Sequence, residues 1–169
     1  TASVESDSDD TIFSLVANAG VGDSAGVAGS ASVQVIGQGA ASGTRAYIDG
    51  SVTAGGHLKV HADGEFTDKM IAGAIGAASS AGVGVSNTTL VLDHRVATYV
   101  GDFGSAQSTG GNLTVEAISN LDLLAITATA GVSGTAAVGG SVTVSVIDQQ
   151  TDAHVGRGAT ANAAGTLAV

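Results

Sequence analysis

The sequence predicts an all-β fold: a parallel β-solenoid (β-helix) built from three tandem repeats of about 55 residues. Three observations point there. The same residue types return at a fixed long period, several short segments alternate with the period of a strand, and the composition supplies small apolar residues without a helix signal.

The period comes first. Leu58-Lys59-Val60, Leu113-Thr114-Val115 and Leu167-Ala168-Val169 superpose. Val60 lies 55 residues before Val115, Val115 lies 54 before Val169, and Val4 falls 56 before Val60. A Gly-rich run that turns into a β-branched strand gives a second anchor, with Ile36, Leu92 and Ile147 at its ends. Ala46-Tyr47-Ile48, Thr98-Tyr99-Val100 and Ala153-His154-Val155 give a third, and Gly56, Gly111 and Gly165 a fourth. Between anchors the first unit has extra residues in Gly37–Thr44 and fewer between Tyr47 and Gly55, which is how turns vary. The chain therefore reads as one array over 1–169, with repeat units about 1–56, 57–111 and 112–169.

Strands follow from local pattern. Ser141 to Val146 alternates hydroxyl and Val with period two, as does Leu113 to Ala117, and Val, Ile and Thr suit strands. In the third unit strands are expected near 112–118, 122–132, 138–147 and 152–161, with turns at Gly131–Thr135 and Asp148–Thr151. The Ala-rich stretch Met70–Ala81 is interrupted by Gly73 and Gly76, each costing about 1 kcal/mol in a helix relative to Ala. Without crossover helices, short strands wind as stacked coils, and two flattened coils per unit is the preferred count, with three coils as the alternative. The alternation places Val144 inward, so Val144→Asp is expected to cost several kcal/mol. The Ala/Gly runs, such as Ala72–Gly84, should form thin walls, and both ends of the array should expose strand edges.

Composition agrees. Of 169 residues, 44% are apolar but only 3% aromatic; Gly contributes 26, Pro and Cys none. Such a chain suits closely spaced backbone layers better than a wide aromatic core. Charged residues are only 12% and mean hydropathy is +0.37, which argues against disorder. Fifteen acidic residues against five scattered basic ones give a net charge of −10, so no nucleic-acid partner is expected. No apolar run is long enough for a transmembrane helix, and no membrane insertion is expected. Without Cys there are no disulfides or thiolate metal sites.

Several motifs invite chemistry and are outweighed. Gly22-Asp23-Ser24-Ala25-Gly26 matches G-x-S-x-G, but that elbow needs a strand–turn–helix context and a partner His. His57 and His61 are four apart, which would suit metal on a helix; on a strand they lie about 13 Å apart and read as surface residues. His154 replaces Tyr47 and Tyr99 in its slot and reads as partly buried packing. Asp7, Asp9 and Asp10, and in the next unit Asp63, Glu65 and Asp68, read as solvated loops, with calcium as the competing reading near Asp7 and Asp63. Paired carboxylates for polysaccharide cleavage lack the converging charges such a cleft uses. Gly20/Gly22 and Gly37/Gly39 lack the strand–helix context of a phosphate loop. Asn87 and Asn112 open unused glycosylation sequons. No catalytic, cofactor or metal residue is assigned, and no cofactor.

The stretches AYIDGSVTAGGHLKVHA, ATYVGDFGSAQSTGGNLTVEA and DAHVGRGATANAAGTLAV, with the linking GTAAVGGSVTVSVIDQQTDAHVG, resemble the repeat region of leukotoxin-type, filamentous-haemagglutinin-like giant bacterial adhesins. The likeness covers the whole chain, departing from the pattern at His154 and in the first unit's turns. It implies a β-helix, an extracellular or cell-surface location, and a role in attachment, aggregation or extension of a binding tip, with no catalysis. The expected partners are neighbouring repeats and, through the solenoid ends, other copies. Two alternatives stand beside it: a face presenting Thr143 and Ser145, or Thr127 and Thr129, to glycan or ice, and a polysaccharide-degrading β-helix.

Overall fold

The computed structural model describes residues 1–37 and 43–169. It is 82% strand, all of it in parallel sheets that stack on one another, and the described residues include no helix. Eleven strands run in order: β1 (Ala2–Gly22), β2 (Ala25–Ile36), β3 (Thr44–Ile48), β4 (Ser51–Ala54), β5 (Leu58–Ala78), β6 (Ala81–Val100), β7 (Ser105–Ser108), β8 (Leu113–Ser133), β9 (Ala136–Val155), β10 (Thr160–Ala163) and β11 (Leu167–Ala168).

Every repeat contributes one strand, or its two halves, to each of three sheets. Sheet A has the order β1-β5-β8-β11 and sheet C the order β4-β7-β10. In sheet B, β6 is flanked by β9 on one side and by β2 and β3 end to end on the other. Each residue pairs with its own equivalent in the next repeat: Val4 with Val60 and Val60 with Val115, Ile36 with Leu92 and Leu92 with Ile147. Three of the four sequence anchors are thus ladder neighbours, and in the fourth Gly165 N–H donates to Gly111 C=O at 2.9 Å. The preferred count of two coils per unit, and the alternative of three, are both corrected: no strand of one repeat intervenes between these partners, so one circuit takes the whole repeat.

The strands are longer than the sequence pattern suggests. Segments 113–118 and 122–132 fuse into β8, and the expected turn at Asp148–Thr151 lies inside β9. That polar run stays extended because its outward members are solvated and paired. Arg95 lies 2.7 Å from Asp93 and 3.9 Å from Asp148 on the adjacent strand, and inward Gln149 donates to Ser119 Oγ at 2.8 Å. The turn placed at Gly131–Thr135 narrows to Gly134-Thr135, matching Asp23-Ser24 and Ser79-Ser80 in the other repeats. These tip turns continue the ladder through backbone bonds such as Ala81 N–H to Ser24 C=O (3.0 Å) and Ala136 N–H to Ser80 C=O (3.0 Å). At the other end the first repeat turns through Asp49-Gly50, whereas the second and third use Gly101–Gly104 and 156–159. There Phe103 and its equivalent Gly158 both take positive φ, 62° and 68°. The extra length at Gly37–Thr44 spans eight positions where Asp93–Val96 spans four; within it, positions 38–42, including the Gly39 of the second Gly-x-Gly, lie outside the described residues.

Sheets A and B face each other and converge toward the tip. Near the base, where sheet C holds them apart, Leu58, Val60, Val96, Val100, Leu113 and Val115 pack together. Midway, Phe66, Met70, Leu90 and Leu92 form a second cluster. At the tip the inward residues shrink to Ala72, Ala74, Gly76, Gly82 and Gly84. A Cβ on Gly76 would collide with the carbonyl of Val83, and one on Gly82 would lie 2.6 Å from the Gly76 carbonyl oxygen. The backbones touch, as the Ala/Gly runs led one to expect, in place of the ~10 Å gap of ordinary sheet packing.

This convergence fixes strand parity and overturns one expectation. Gly82, Gly84, Leu90 and Leu92 face inward, so their odd-numbered neighbours face out. Thr143 and Ser145 pair with inward Thr88 and Leu90. Val144 consequently points outward and is 43% exposed, not buried. Val144→Asp should therefore shift the urea midpoint by less than the equivalent of about 1 kcal/mol, whereas Met70→Asp, on the inner face, should cost several. Equal losses in both variants would show that the parity is wrong.

Candidate functional site

The residues that carry chemistry are distributed by the two-residue period of the strands. Gly22 ends β1 and Ala25 begins β2, so the G-x-S-x-G run is a two-residue strand–turn–strand corner and not an elbow leading into a helix. Asp23 C=O accepts from the Ser79 backbone N–H at 3.2 Å, a bond of the ladder.

The four histidines occupy four different environments. His57 sits in a turn, where its Nδ1 accepts from the Asn112 backbone N–H at 2.9 Å. His61 faces outward on β5 with Nδ1 3.4 Å from Glu116 Oε2 and no hydrogen-bond alignment. His94 faces inward, its ring tilted against Phe66 at 6.0 Å, with its Nε2 buried and unpartnered. His154 stacks on Tyr99, which stacks on Tyr47; both pairs have centroids 5.2 Å apart and nearly parallel planes. The slot equivalence seen in the sequence is thus a stacked column, and the partly buried packing expected of His154 is a ring stack that leaves Tyr47 and His154 half-exposed. His154 Nδ1 lies 2.8 Å from Asp152.

The acidic groups lie in mid-strand, not in loops. Asp7, Asp9, Asp63 and Glu65 share the outward face of sheet A with Glu5, Lys59 and His61, and Asp7 pairs with Asp63. Asp10 and Asp68 point the other way, so neither acidic triplet converges. Among the described residues no three His, Asp or Glu side chains are placed to hold a metal ion. Thr127, Thr129, Thr143 and Ser145, the candidate glycan or ice contacts, face the space between sheets; Thr127 and Thr143 hydroxyls lie 3.3 Å apart across it. Asn87 faces out and accepts from Thr89 Oγ1 at 2.9 Å, while Asn112 accepts from Thr166 N–H at 3.0 Å.

The most unusual group is Asp68. It is 1% exposed, between Phe66 and Met70 on the inner face of β5. In the column it interrupts, its neighbours are Ile12 and Leu123. Across the gap Gln34 turns its amide nitrogen to both carboxylate oxygens, at 3.0 and 3.1 Å. Burial pushes the Asp68 carboxyl above its ordinary 3.8; the Gln34 bond and the Lys69 backbone N–H oppose that shift and do not cancel it. Sequence reading grouped Asp68 with solvated acids; the signal that separates it is its place in an apolar column. One carboxyl facing one amide has no nucleophile or second titrating group beside it. Elsewhere Arg95 is held more firmly protonated than usual by its hydrogen bond to Asp93.

No family model, curated protein or solved structure matches the chain. Among the described residues, no helix is long and apolar enough to cross a membrane. Fold and side-chain placement together define a class: an all-β repeat protein of parallel, in-register sheets.

The Asp68 carboxyl predicts a pH signature. Below pH 3.8 it is protonated whether the chain is folded or not; between 3.8 and its raised folded value, the folded state binds the extra proton. Stability from this group is therefore present at low pH and lost as pH rises through the folded value. Asp68→Asn keeps the shape and removes the charge. It should be more stable than wild type at pH 7 by on the order of 1 kcal/mol, with the difference vanishing below pH 3.8. Urea titrations at several pH values measure it, and a difference that does not depend on pH refutes it.

Proposed function

We infer that the chain is a structural repeat segment, a rigid stalk or filament, of a secreted bacterial surface adhesin, without catalysis, and that its sheets wind as a β-solenoid with one coil per repeat. The observation that carries this reading is the register. Because each repeat pairs with the next at equivalent residues, the last coil presents the same edge that the first two used, and β11 already pairs with β8 as the opening of a further coil. Such an array extends by adding repeats, as the resemblance to filamentous adhesins implies. The side-chain placement supports the same view, since the histidines and carboxylates are dispersed along faces and columns. The aromatic column does not favour a glycan platform: Tyr99 has both ring faces covered, and along the side of the column Tyr47, Tyr99 and His154 present ring edges, with one outer face free at each end.

The geometry has a consequence for shape. A strand of 21 residues spans about 70 Å, while each coil adds only ~4.8 Å along the axis. The shaft is therefore broad and stiff, and grows slowly with repeat number. X-ray scattering should give a plate about 70 Å across, and adding three more repeats should thicken it by ~15 Å with almost no change in the longest dimension. Thickening by 30 Å or more would mean several coils per repeat, and a strongly helical circular dichroism spectrum would end the reading.

A further inference from the structure

We propose that the outward faces of the tip half of the coil are lateral assembly surfaces, and that what covers them is a second copy of this chain, packed sheet face on sheet face. On sheet B the outward rows carry Val33, Val35, Val85, Val142, Val144 and Val146, between 43% and 66% exposed. On sheet A they carry Phe13, Leu15, Val21, Ile75, Ile126 and Val132, all exposed by 43% or more. Both sides of the same blade are therefore largely apolar, interrupted on sheet B by Asn87 and Thr89 of the central strand, although its interior is mainly Gly, Ala and hydroxyl-bearing residues.

Three features identify the occupant. The first is charge. Leu123–Ile147 contains no charged residue, Ile12–Ile36 contains only Asp23, at the tip turn, and the matching Asp68–Leu92 contains only inward Asp68 and outward Lys69, which borders the face beside Phe13. Apart from Asp23, the 15 acidic residues lie from the middle of the blade to its base, so the tips of two copies meet with few acids between them. The second is area. Eleven residues along each of three strands present about 500 Å² per face, beyond the few hundred Å² that monomers ordinarily leave exposed. A pair of copies buries about 1,000 Å², the lower limit for a specific interface, and each added coil contributes roughly 170 Å² per partner. The third is relief. Outside sheet A an apolar trough of about 260 Å³ runs along Ala17, Gly73 and Ala128 beside Ile75, which accepts a row of β-branched side chains. With two apolar sides per copy, association is open-ended and does not stop at a closed dimer.

Sedimentation velocity and light scattering over a concentration series test this. The chain should be largely monomeric when dilute and should form dimers and larger species toward about 100 μM, as a weak interface of this size does. Val33→Lys with Val144→Lys blocks sheet B and should weaken association at least tenfold. Adding Leu15→Lys and Ile126→Lys blocks both faces and should leave monomers. Circular dichroism should stay unchanged in both variants, because all four side chains point outward. Asn162→Lys, on the outside of sheet C, should associate as wild type does. Three results overturn the proposal: a wild type that stays monomeric throughout, association that survives in the fourfold variant and so runs through strand edges, or a monomer that floats with phosphatidylcholine vesicles unless Val33 and Val144 are changed. Because none of these depends on how many coils a repeat forms, this test and the scattering test fail independently.

Discussion

The whole structure depends on one constraint: every residue hydrogen-bonds to its own counterpart in the next repeat. In a parallel ladder that requirement is unforgiving, because a slip of one residue turns every side chain to the wrong face. The chain meets it by making each circuit the same length to within a residue or two, and by placing the differences where they do not propagate. The first repeat has four more positions than the second between Ile36 and Thr44 and two fewer at Asp49-Gly50. Both lie between strands, and pairing resumes in register after each. Identical columns then follow without further instruction: Leu58 beside Leu113, Tyr47 beside Tyr99, Val27 beside Val83.

The second determinant is the taper between sheets A and B. Two sheets joined by two-residue turns at one end and held apart by a short third sheet at the other cannot keep a constant gap. Side-chain size follows the gap, from Leu and Val at the base, through Phe66 and Met70, to glycine at the tip. Gly76 and Gly82 are required because opposing backbone occupies the volume a Cβ would fill. Asp68 fits the same logic from the other side. It lies midway along the taper, where a carboxyl and the Gln34 amide have room to meet, and its buried carboxyl introduces a titrating group into an otherwise apolar column.

Much of this was legible in the sequence, and what was not has a physical reason. The period and its anchors were readable because residues in one column share one environment, so Leu58 and Leu113 or Ile36 and Leu92 are alike. The number of coils was not, since a period says how often an environment recurs and not how many turns lie between. Strand length was obscured by Asp148–Thr151, whose turn-like composition is overridden by pairing with Asp93–Val96. The acidic triplets misled for a related reason: Asp7, Asp9 and Asp10 are close in sequence, but period two sends Asp10 to the opposite face. The dispersal of the histidines was visible in part, because Asn112 and Glu116 fill the equivalents of His57 and His61 in the next repeat.

The parity of the tip strands shows why alternation alone was insufficient. Ser141 to Val146 reads as Val-in, Ser-out under the usual rule that the apolar face is buried, yet the fold reverses it. Where sheets A and B nearly touch, the inward positions are mostly Gly, Ala, Ser or Thr, with Val16 and Asn18 of β1 the larger exceptions; Val in every repeat would force the backbones apart. Strand formation still favours β-branched residues, and the only face with room for them is the outer one. The exposed Val rows are therefore a geometric consequence of a closed, thin tip. The same narrowing that admits mostly small residues inside sends the larger apolar residues outward, and apart from Lys69 at its border and Asp23 at the tip turn that surface carries no charge to keep a like surface away.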